Sequence, residues 1–417
     1  MNVVLKESLK YSLRSRYLIW REIRHVEWLY SLSADELHAY KESKFLEIFR
    51  RAYKYSSFYK EFYYQERIEE GDIKSLDDIN RLPVVTKSMV KDYNSRFLTV
   101  PRWAVFKAET SGTTGTPLTA YHSYKSIRLE QAYIAVRRKK YGFNYGQRLV
   151  SLRGNLGSRS FRDFVSLSNT LFLSSYLIND SSLLRYFEAI TEFEPRAIEG
   201  YPSSLYSLAL GFSENGWVVK IPLCFTSSEK LLLHQRELIE NVFGCEIFDR
   251  YGCSERSISL AENLDHYGYY EEPGYSHNQF FSDHILTTSL FKTSFPLIRY
   301  QVNDVVVLDE HGVVKEIEGR NEDVIVCNDG TKIGRIDHIF KGVRGVKYAQ
   351  VVQRISGHVD INVVPDLVLD DCIVRHIEEK LRRKVSTDNL TADYNSIAFS
   401  GLIFTSRNKF SLVKSYL

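Results

Sequence analysis

Glu109-Thr-Ser-Gly-Thr-Thr-Gly-Thr-Pro117 is the most informative stretch of this sequence, and it follows the apolar pair Val105-Phe106. Glycines let the backbone approach a ligand and turn its N–H groups inward, while Ser and Thr hydroxyls add donors. Such a loop can wrap phosphate oxygens, although a flexible surface linker has a similar composition. It is not a Walker A loop, because that motif places a lysine before its final hydroxyl residue and this run ends Thr116-Pro117-Leu118.

Two later segments carry residues suited to the rest of a nucleotide. Asp249-Arg-Tyr-Gly-Cys-Ser-Glu255 follows the apolar Ile247-Phe248. Its aromatic ring can stack on a base and its carboxylate can hold Mg²⁺ near phosphates, whereas the simpler interpretation is a turn that ends a strand. Pro296-Leu-Ile-Arg-Tyr-Gln-Val-Asn-Asp304 places an acid after a predicted strand. That acid could accept hydrogen bonds from sugar hydroxyls or could simply be a solvated turn residue.

The apolar pattern predicts the fold class. The first hundred residues are mainly helical in pattern, including a helix from Ala34 to Tyr64 capped by Ser33. After Pro101 short apolar runs alternate with helical stretches, which predicts an α/β core with elements at 124–141, 148–153, 222–226 and 229–243.

The C-terminal third changes pattern twice. From His284 to Glu318 the sequence reads as successive strands, including a hairpin around Asp309-Glu-His-Gly312. Beyond Gly319 further strands precede a helix from Asp370 to Lys384. We therefore predict a large α/β domain over 1–319 that ends in a β-rich closing region, and a small α+β domain over 320–417.

Composition excludes several classes of protein. A length of 417 residues with 44% hydrophobic and 26% charged residues predicts two or three globular domains. Lys+Arg 55 against Asp+Glu 52 leaves a net charge of +3, too small a field for a nucleic-acid-binding protein or for recruitment to anionic lipid. The five cysteines lack close CxxC pairs, which favours reduced thiols over disulfides or zinc.

No stretch of the sequence is typical of a membrane span or an export signal. The longest uncharged stretches, 164–179 and 200–213, are shorter than the roughly 20 apolar residues a span needs and are rich in Ser. The N-terminus has no long apolar segment or small-residue cleavage site after its basic residues. A cytoplasmic location is the resulting prediction.

In chain order, Thr110–Pro117, Tyr251-Gly-Cys-Ser-Glu255, Arg299–Asp304 and Gly319-Arg-Asn-Glu-Asp323 resemble the successive motifs of adenylate-forming enzymes. This superfamily contains acyl-CoA synthetases, adenylation domains of peptide synthetases and luciferases. Arg407–Lys414 resembles the last motif of the family. Gly200-Tyr-Pro-Ser203 and Thr226-Ser-Ser-Glu229 resemble its phenylacetate-CoA ligase-like and CapK-like branch, the latter associated with capsule and surface-polysaccharide loci. The resemblance runs from Lys107 to the C-terminus.

The resemblance implies a large adenylation domain, a small mobile C-terminal domain and a set of site residues. Ser111, Gly112, Thr113, Thr114, Gly115 and Thr116 would surround the ATP phosphates, with Ser228 and Glu229 at the adenine pocket, Tyr251 and Gly252 against the adenine, Glu255 on Mg²⁺, Asp304 and Arg320 at the ribose, Glu322 or Asp323 at the hinge and the catalytic Lys409 at the α-phosphate. Asn408 replaces the family's glycine before that lysine, and Leu118 replaces a lysine many relatives carry. A second metal is not predicted, since Cys253, His266 and His277 lack a further close cysteine.

The function implied is an ATP-dependent, AMP-forming ligase that uses ATP and Mg²⁺. It would convert a carboxylate to an acyl-adenylate and pass the acyl group to an amine, in an amide ligase of surface-polysaccharide biosynthesis. One alternative is a phenylacetate-CoA ligase-like enzyme that transfers to the thiol of CoA. An alternative of another class is a non-catalytic nucleotide-binding protein, and the retained Glu255, Asp304, Arg320 and Lys409 speak against it. The carboxylate itself is not identified by the sequence.

Overall fold

The computed structural model describes residues 16–109, 118–153, 161–179, 181–320, 325–333, 336–340, 343–383, 385–404 and 410–417. The chain divides into two compact units. The large unit comprises Met1–Val302 and Val306–Ile317, and the small unit comprises Asn303–Val305 and Glu318–Leu417.

The helices of the large unit are α1 (Arg16–Leu29), α2 (Ala34–Tyr55), α3 (Ser57–Gln65), α4 (Lys87–Asp92), α5 (Tyr124–Lys140), α6 (Leu183–Phe193), α7 (Pro202–Glu214) and α8 (Leu233–Phe243), and the small unit contains α9 (Asp371–Arg382).

The strands up to the end of the large unit's central sheet are β1 (Val105–Glu109), β2 (Thr119–Ser123), β3 (Leu149–Arg153), β4 (Arg162–Val165), β5 (Thr170–Ser174), β6 (Ala197–Gly200), β7 (Leu223–Ser227), β8 (Glu246–Gly252), β9 (Ser259–Glu262), β10 (Tyr269–Glu271), β11 (Ser276–Phe280), β12 (Ile285–Ser289), β13 (Tyr300–Val302), β14 (Asp304–Leu308) and β15 (Val314–Arg320). They are followed by β16 (Ile325–Val326), β17 (Lys332–Ile333), β18 (Val346–Ile355), β19 (His358–Pro365), β20 (Thr391–Ser396) and β21 (Val413–Ser415).

The helical N-terminal region forms as its caps and apolar spacing predict. Ser33 accepts a hydrogen bond from the Glu36 amide at 3.3 Å, and Glu36 accepts one from the Ser33 amide at 2.9 Å, so a complete capping box starts α2. Ser56 then ends α2 and caps α3, accepting from the Tyr59 amide at 3.3 Å. The helical stretch predicted over Ala34–Tyr64 is therefore two helices, because the hydroxyl of Ser56 offers the backbone a cap.

A ten-stranded sheet forms the centre of the large unit, in the order β14-β15-β10-β9-β8-β7-β6-β3-β5-β4. The strands β8, β7, β6, β3 and β5 are mutually parallel. Their side chains are mainly buried, as in Leu223–Phe225 of β7, because helices cover both faces of a parallel sheet. The carboxyl ends of these strands therefore meet along one edge, where open α/β sheets bind their ligands.

Two smaller sheets flank this centre. β1 and β2 form an antiparallel hairpin in which Glu109 pairs with Thr119. β11, β12 and β13 form a three-stranded antiparallel sheet, and a bridge joins Val85 to Tyr300. The hairpin matters for the site because the glycine- and threonine-rich segment lies between its two strands in sequence.

The small unit has its own sheet, in the order β20-β19-β18-β21. Asp370 caps the start of α9, because its carboxylate accepts from the Ile373 amide at 2.8 Å. The helix buries Ile377 and Leu381 in a cluster with Ile361 and Val363 of β19. This amphipathic helix on an apolar sheet face gives the unit a core of its own.

The predicted α/β class is confirmed, and so are most predicted elements. The helix predicted over 229–243 begins later, at Leu233, and the helix predicted to reach Lys384 ends at Arg382. None of the helices in the described ranges is both long enough and apolar enough to cross a membrane.

Candidate active site

The described site residues lie where the parallel strands end. Ser227, the last residue of β7, pairs with Arg250 of β8. Ser228 and Glu229 follow β7 directly, and Tyr251 and Gly252 complete β8. Neighbouring parallel strands bring these two predicted adenine-binding segments to the same edge of the sheet.

Glu229 ties its segment to a third predicted motif. Its Oε2 atom accepts a hydrogen bond from the amide of Ser203 at 3.1 Å, in the first turn of α7. A carboxylate is stabilised at a helix N-terminus by the free amides and by the helix dipole. The two branch motifs, Gly200–Ser203 and Thr226–Glu229, are therefore parts of one structural arrangement.

Two residues of the predicted motifs, Ser228 and Arg299, and the residue after Glu255 adopt left-handed backbone conformations without being glycine. The φ angle is +73° at Ser228, +55° at Arg256 and +48° at Arg299. Each such residue costs roughly 1–2 kcal/mol relative to an ordinary conformation. Ser228 directly follows β7 and Arg299 directly precedes β13, so this strain lies at the ends of strands within or beside the predicted ligand-binding segments.

A buried hydrogen-bond network fixes β8 beneath the site. The carboxylate of Asp249 accepts from the hydroxyl of Thr226 at 2.5 Å and from that of Tyr269 at 2.7 Å. Its amide donates to Glu262 at 2.8 Å. Burial raises the pKa of Asp249, because the charged form is poorly solvated there. The strand that carries Tyr251 thus has little freedom to shift.

The centre of the candidate site is the segment Cys253–Ser257, which we call the Glu255 turn. The side chain of Glu255 is buried, with 6% of the residue exposed, and its Oε1 atom accepts from the hydroxyl of Tyr300 at 3.2 Å. Three donors from other parts of the chain reach carbonyls of the turn: His122 Nε2 to Ser254 at 3.2 Å, Lys292 Nζ to Glu255 at 2.5 Å and Thr287 Oγ1 to Ser257 at 2.6 Å.

The surroundings of Cys253, the cysteine of this turn, indicate a structural role for its side chain. The Sγ atom of Cys253 lies 3.1 Å from the Ser257 hydroxyl and accepts from the Ser257 amide at 3.4 Å. Burial, with the nearby charge of Glu255, raises the pKa of the Cys253 thiol to about 11. A thiol protonated at neutral pH is a poor nucleophile and a poor redox group.

Glu255 fits the role of a protein ligand to Mg²⁺. Mg²⁺ prefers hard oxygen donors and is commonly held by one or two carboxylates together with substrate phosphates and water. A single buried carboxylate on a turn braced by three side chains suits that pattern, because the phosphates supply the remaining oxygens. The hydroxyl of Tyr300 orients the carboxylate, as outer partners of metal ligands do.

The predicted sugar-binding segment is fixed to the N-terminal region. The Arg299 guanidinium donates to the carbonyls of Asn80, at 3.0 Å, and Leu82. The backbone of Val85 exchanges hydrogen bonds with Arg299 and Gln301, at 3.1 and 2.9 Å. Asp304 lies two residues beyond β13, at the start of β14, and clusters with the small unit. Arg320 ends β15, with only its backbone described.

Several predicted residues lie outside the described part of the chain. These are Ser111, Gly112, Thr113, Thr114, Gly115 and Thr116, the hinge candidates Glu322 and Asp323, and Lys409. Their roles therefore stay predictions. The strand that follows the glycine- and threonine-rich segment is described, and its His122 contacts the Glu255 turn.

Sequence reasoning missed the three residues that surround Glu255. Tyr300 lies within a predicted motif, but the sequence indicates no role for it, and it indicates none for His122 or Lys292. The only signal was weak: Lys292 is an isolated cation between Phe291 and Phe295 in an otherwise apolar and hydroxyl-rich run. A single lysine in such a run is usually a solvated residue, so its burial became visible only in the folded chain.

Within the described ranges, one group of side chains is spaced closely enough to hold a metal ion: His358, Asp360 and Asp393, in the small unit. The Nε2 atom of His358 lies 3.5 Å from Asp393, while Arg354 already pairs with Asp360 at 2.5 Å. This group does not include Cys253, His266 or His277. We assign it no metal.

Comparison with known proteins finds relatives that include ligases. No protein-family model matches it. Protein CapK of Staphylococcus aureus is 22% identical over 409 residues, which covers 91% of this chain and 89% of CapK. Indoleacetate–lysine synthetase of Pseudomonas savastanoi is 26% identical over 220 residues, or 49% of this chain and 53% of that protein. Phenylacetate-coenzyme A ligase of Thermus thermophilus is 22% identical over 372 residues, or 80% of this chain and 81% of the ligase.

A solved structure shares the fold along nearly the whole chain. The crystal structure of 2-hydroxyisobutyryl-CoA ligase in the postadenylation state, in complex with R3-HIB-AMP, matches with a TM-score of 0.68 and 17% identity. The match covers 92% of this chain and 90% of that one. These findings confirm the predicted resemblance: the homologues and structural neighbours of the chain are adenylate-forming ligases, which are ATP-dependent, AMP-forming enzymes.

Proposed function

We propose that this chain is an amide ligase that activates a carboxylate with ATP and Mg²⁺ and transfers the acyl group to an amine. The observation that carries the proposal is the buried Glu255 turn, which lies beyond the carboxyl end of β8 and contacts the hairpin strand that follows the glycine- and threonine-rich segment. A buried carboxylate is expensive to maintain without a ligand, and this one accepts from Tyr300 while His122, Thr287 and Lys292 hold the backbone of its turn.

Adenylation proceeds by displacement at the α-phosphorus. An oxygen of the carboxylate forms a bond to that phosphorus, the bond to the bridging oxygen of the β-phosphate breaks, and pyrophosphate leaves with the electron pair. Approach of an anion to a triphosphate is opposed by Coulomb repulsion. Bound Mg²⁺ neutralises phosphate charge there, and Glu255 would hold it. Lys409 and the donors of Ser111–Thr116 would stabilise the remaining charge.

The second half-reaction is acyl transfer. The amine nitrogen attacks the carbonyl carbon of the acyl-adenylate, AMP leaves with the electron pair, and the nitrogen loses a proton. The other proposed roles are positional: Tyr251 stacks on the adenine beside Gly252, Ser228 and Glu229 border it, and Asp304 and Arg320 bind the ribose. The acyl-adenylate is a reactive mixed anhydride, so closure of the small domain would protect it from water.

The amine acceptor is favoured by the relatives. Indoleacetate–lysine synthetase is named for the joining of an acid and an amino acid, and CapK matches over most of the chain. A role in surface-polysaccharide biosynthesis, in the cytoplasm, extends the proposal from the CapK-like resemblance. Transfer to CoA is the second candidate, because phenylacetate-coenzyme A ligase is also similar over 80% of this chain.

Pyrophosphate release tests the proposal. The protein is incubated with ATP and Mg²⁺ over a panel of aryl acids, fatty acids, amino acids and uronic acids, each with CoA, with amino acids or amino sugars as amines, or with neither. We expect one class of acid to support release and an amine to accelerate it. Acceleration by CoA alone would establish the thioester-forming alternative, and Lys409→Ala serves as the control for background hydrolysis.

Silence over the whole panel, with ATP binding intact, would favour the non-catalytic alternative. Adding lipid-linked sugar acids to the panel addresses the polysaccharide role directly. A product whose mass equals that of acid plus amine minus water identifies the amide.

A further inference from the structure

Lys292 is buried to a degree that is unusual for a lysine. Only 1% of the residue is exposed, and it ranks with the largest fully buried side chains of the described chain. Its ammonium donates to the carbonyl of Glu255 at 2.5 Å and lies 5.1 Å from the centroid of the Phe295 ring. In the described part of the protein no carboxylate forms an ion pair with it.

Such a group stabilises the fold poorly. Burial of an ammonium costs several kcal/mol, and a well-packed apolar side chain of similar volume is often as stabilising or more so. A lysine at this position therefore needs an explanation other than packing.

The position of Lys292 in the fold supplies an explanation for its burial. Its hydrogen bond goes to the backbone of Glu255, the residue whose carboxylate we propose to hold Mg²⁺. The backbone carbonyl of the neighbouring residue, Ser254, accepts a hydrogen bond from His122, which lies in β2. Nδ1 of His122 is buried and has no hydrogen-bond partner among the described residues, and the charges of Lys292 and Arg256 add to burial in lowering the pKa of that imidazole. Lys292 and Arg256 thus place positive charge near the turn, where the carboxylates of Glu255 and Glu130 also act.

We propose that Lys292 is a positioning residue for Mg²⁺ and ATP, an inference that rests on the proposed function. Its ammonium fixes the backbone of the Glu255 turn. It also places a positive charge near the Glu255 carboxylate, which would hold Mg²⁺ beside the triphosphate of ATP. The hydrogen bond fixes the position of the Glu255 carboxylate, and the positive charge favours binding of the triphosphate. Lys292 touches neither reacting atom and acts through Glu255.

The test measures metal binding rather than turnover. Binding of Mn²⁺, used in place of Mg²⁺, is followed by electron paramagnetic resonance in the presence of α,β-methylene-ATP, whose α–β linkage cannot be cleaved. Lys292→Met removes the charge and the donor, Lys292→Gln keeps a donor without charge, and Lys292→Arg keeps both. Lys44→Met is the matched control, because Lys44 pairs with Glu47 on the surface of α2.

We expect Lys292→Met to weaken Mn²⁺ binding by about 10–100-fold, the usual effect of removing an outer partner of a metal ligand. Its melting temperature should stay the same or rise, Lys292→Gln should lie between, and Lys292→Arg and Lys44→Met should bind almost as the wild type does. Wild-type affinity in both Lys292→Met and Lys292→Gln would overturn the inference. So would parallel losses of affinity and melting temperature in all three Lys292 variants, which indicate a purely structural role.

The outcome for the wild type separates this inference from the function it rests on. If the wild-type protein binds no Mn²⁺ with the nucleotide analogue, the proposed function fails and this inference fails with it. If the wild type binds and the Lys292 variants bind equally well, only the inference about Lys292 fails.

Discussion

Lys292 is a buried cation of the large unit and Arg250 a largely buried one, but their charges are balanced in different ways. Arg250 donates to the carboxylate of Glu130 at 2.8 Å, and Tyr275 donates to the same carboxylate at 2.6 Å. Lys292 donates to a backbone carbonyl instead. The Glu130–Arg250 pair is complete within the protein and supports the fold, whereas we propose that the charges around the Glu255 turn serve a bound ligand.

The largest change in the free energy of unfolding should follow from breaking the Glu130–Arg250 pair. Glu130→Gln keeps a hydrogen-bonding side chain but leaves the largely buried Arg250 without its counterion. We expect the free energy of unfolding to fall by about 3–5 kcal/mol, since removal of one partner of a buried pair leaves an uncompensated charge. Urea denaturation measures this change.

Glu22→Gln is the matched control for that experiment. Glu22 pairs with Arg128 at 2.8 Å, but both side chains are partly exposed to solvent. We expect a loss of less than about 1 kcal/mol, because solvent screens such a pair. Equal losses in the two variants would contradict the contrast between them.

At the Glu255 turn we expect a substitution to reduce activity and to leave stability unchanged. Glu255→Gln should slow pyrophosphate release by at least about 100-fold, or about 2.7 kcal/mol of activation free energy, because the amide is a poor ligand for Mg²⁺. The melting temperature should be unchanged, since Tyr300 can still donate to the amide oxygen. An active variant, or one that melts far below the wild type, would argue against Glu255 as the metal ligand.

The pH dependence of stability should also differ between the two regions. Although burial opposes its ionisation, the Arg250 guanidinium lowers the pKa of Glu130. A carboxyl group with a lowered pKa in the folded state stabilises the protein above its unfolded pKa, near 4.3, and loses that contribution as the pH falls through the folded pKa.

The difference in unfolding free energy between the wild type and Glu130→Gln should therefore be full at pH 7 and shrink steadily below about pH 4.3. Urea denaturation at several pH values measures it. A difference that stays constant down to pH 3 would show that the ionisation of Glu130 is not what stabilises the fold.

The smallest effect concerns the thiol inside the turn. The negative charge of Glu255 contributes, after burial, to the raised pKa of Cys253. Glu255→Gln should therefore accelerate alkylation of Cys253 by iodoacetamide a few-fold at pH 8, as followed by peptide mass spectrometry. The exposed Cys372 should react at the same rate in both proteins. An unchanged rate at Cys253 would mean that the charge of Glu255 does not reach this thiol.

Local patterns in the sequence predicted much of the scaffold. Ser33 and the apolar residues that follow it in α2 were recognisable because a cap and a helical period are encoded by neighbours. Tyr251, Glu255 and Asp304 are predicted site residues because each follows an apolar run in a motif of the right residue types, and their roles stay predictions. The end of α2 at Ser56 was not predicted, since the same hydroxyl group also occurs inside helices.

The sequence by itself determined the α/β architecture and the resemblance to adenylate-forming ligases, because these depend on short-range order and on motifs read in succession. The site residues it indicates stay predictions. Only the tertiary structure decided which side chains surround Glu255. His122 reaches the turn from 132 residues away, and Tyr300 and Lys292 reach it from 45 and 37 residues away. The burial of Lys292 and the balance of charge around it arise when segments distant in sequence pack together. Neighbouring residues in the sequence do not indicate such contacts.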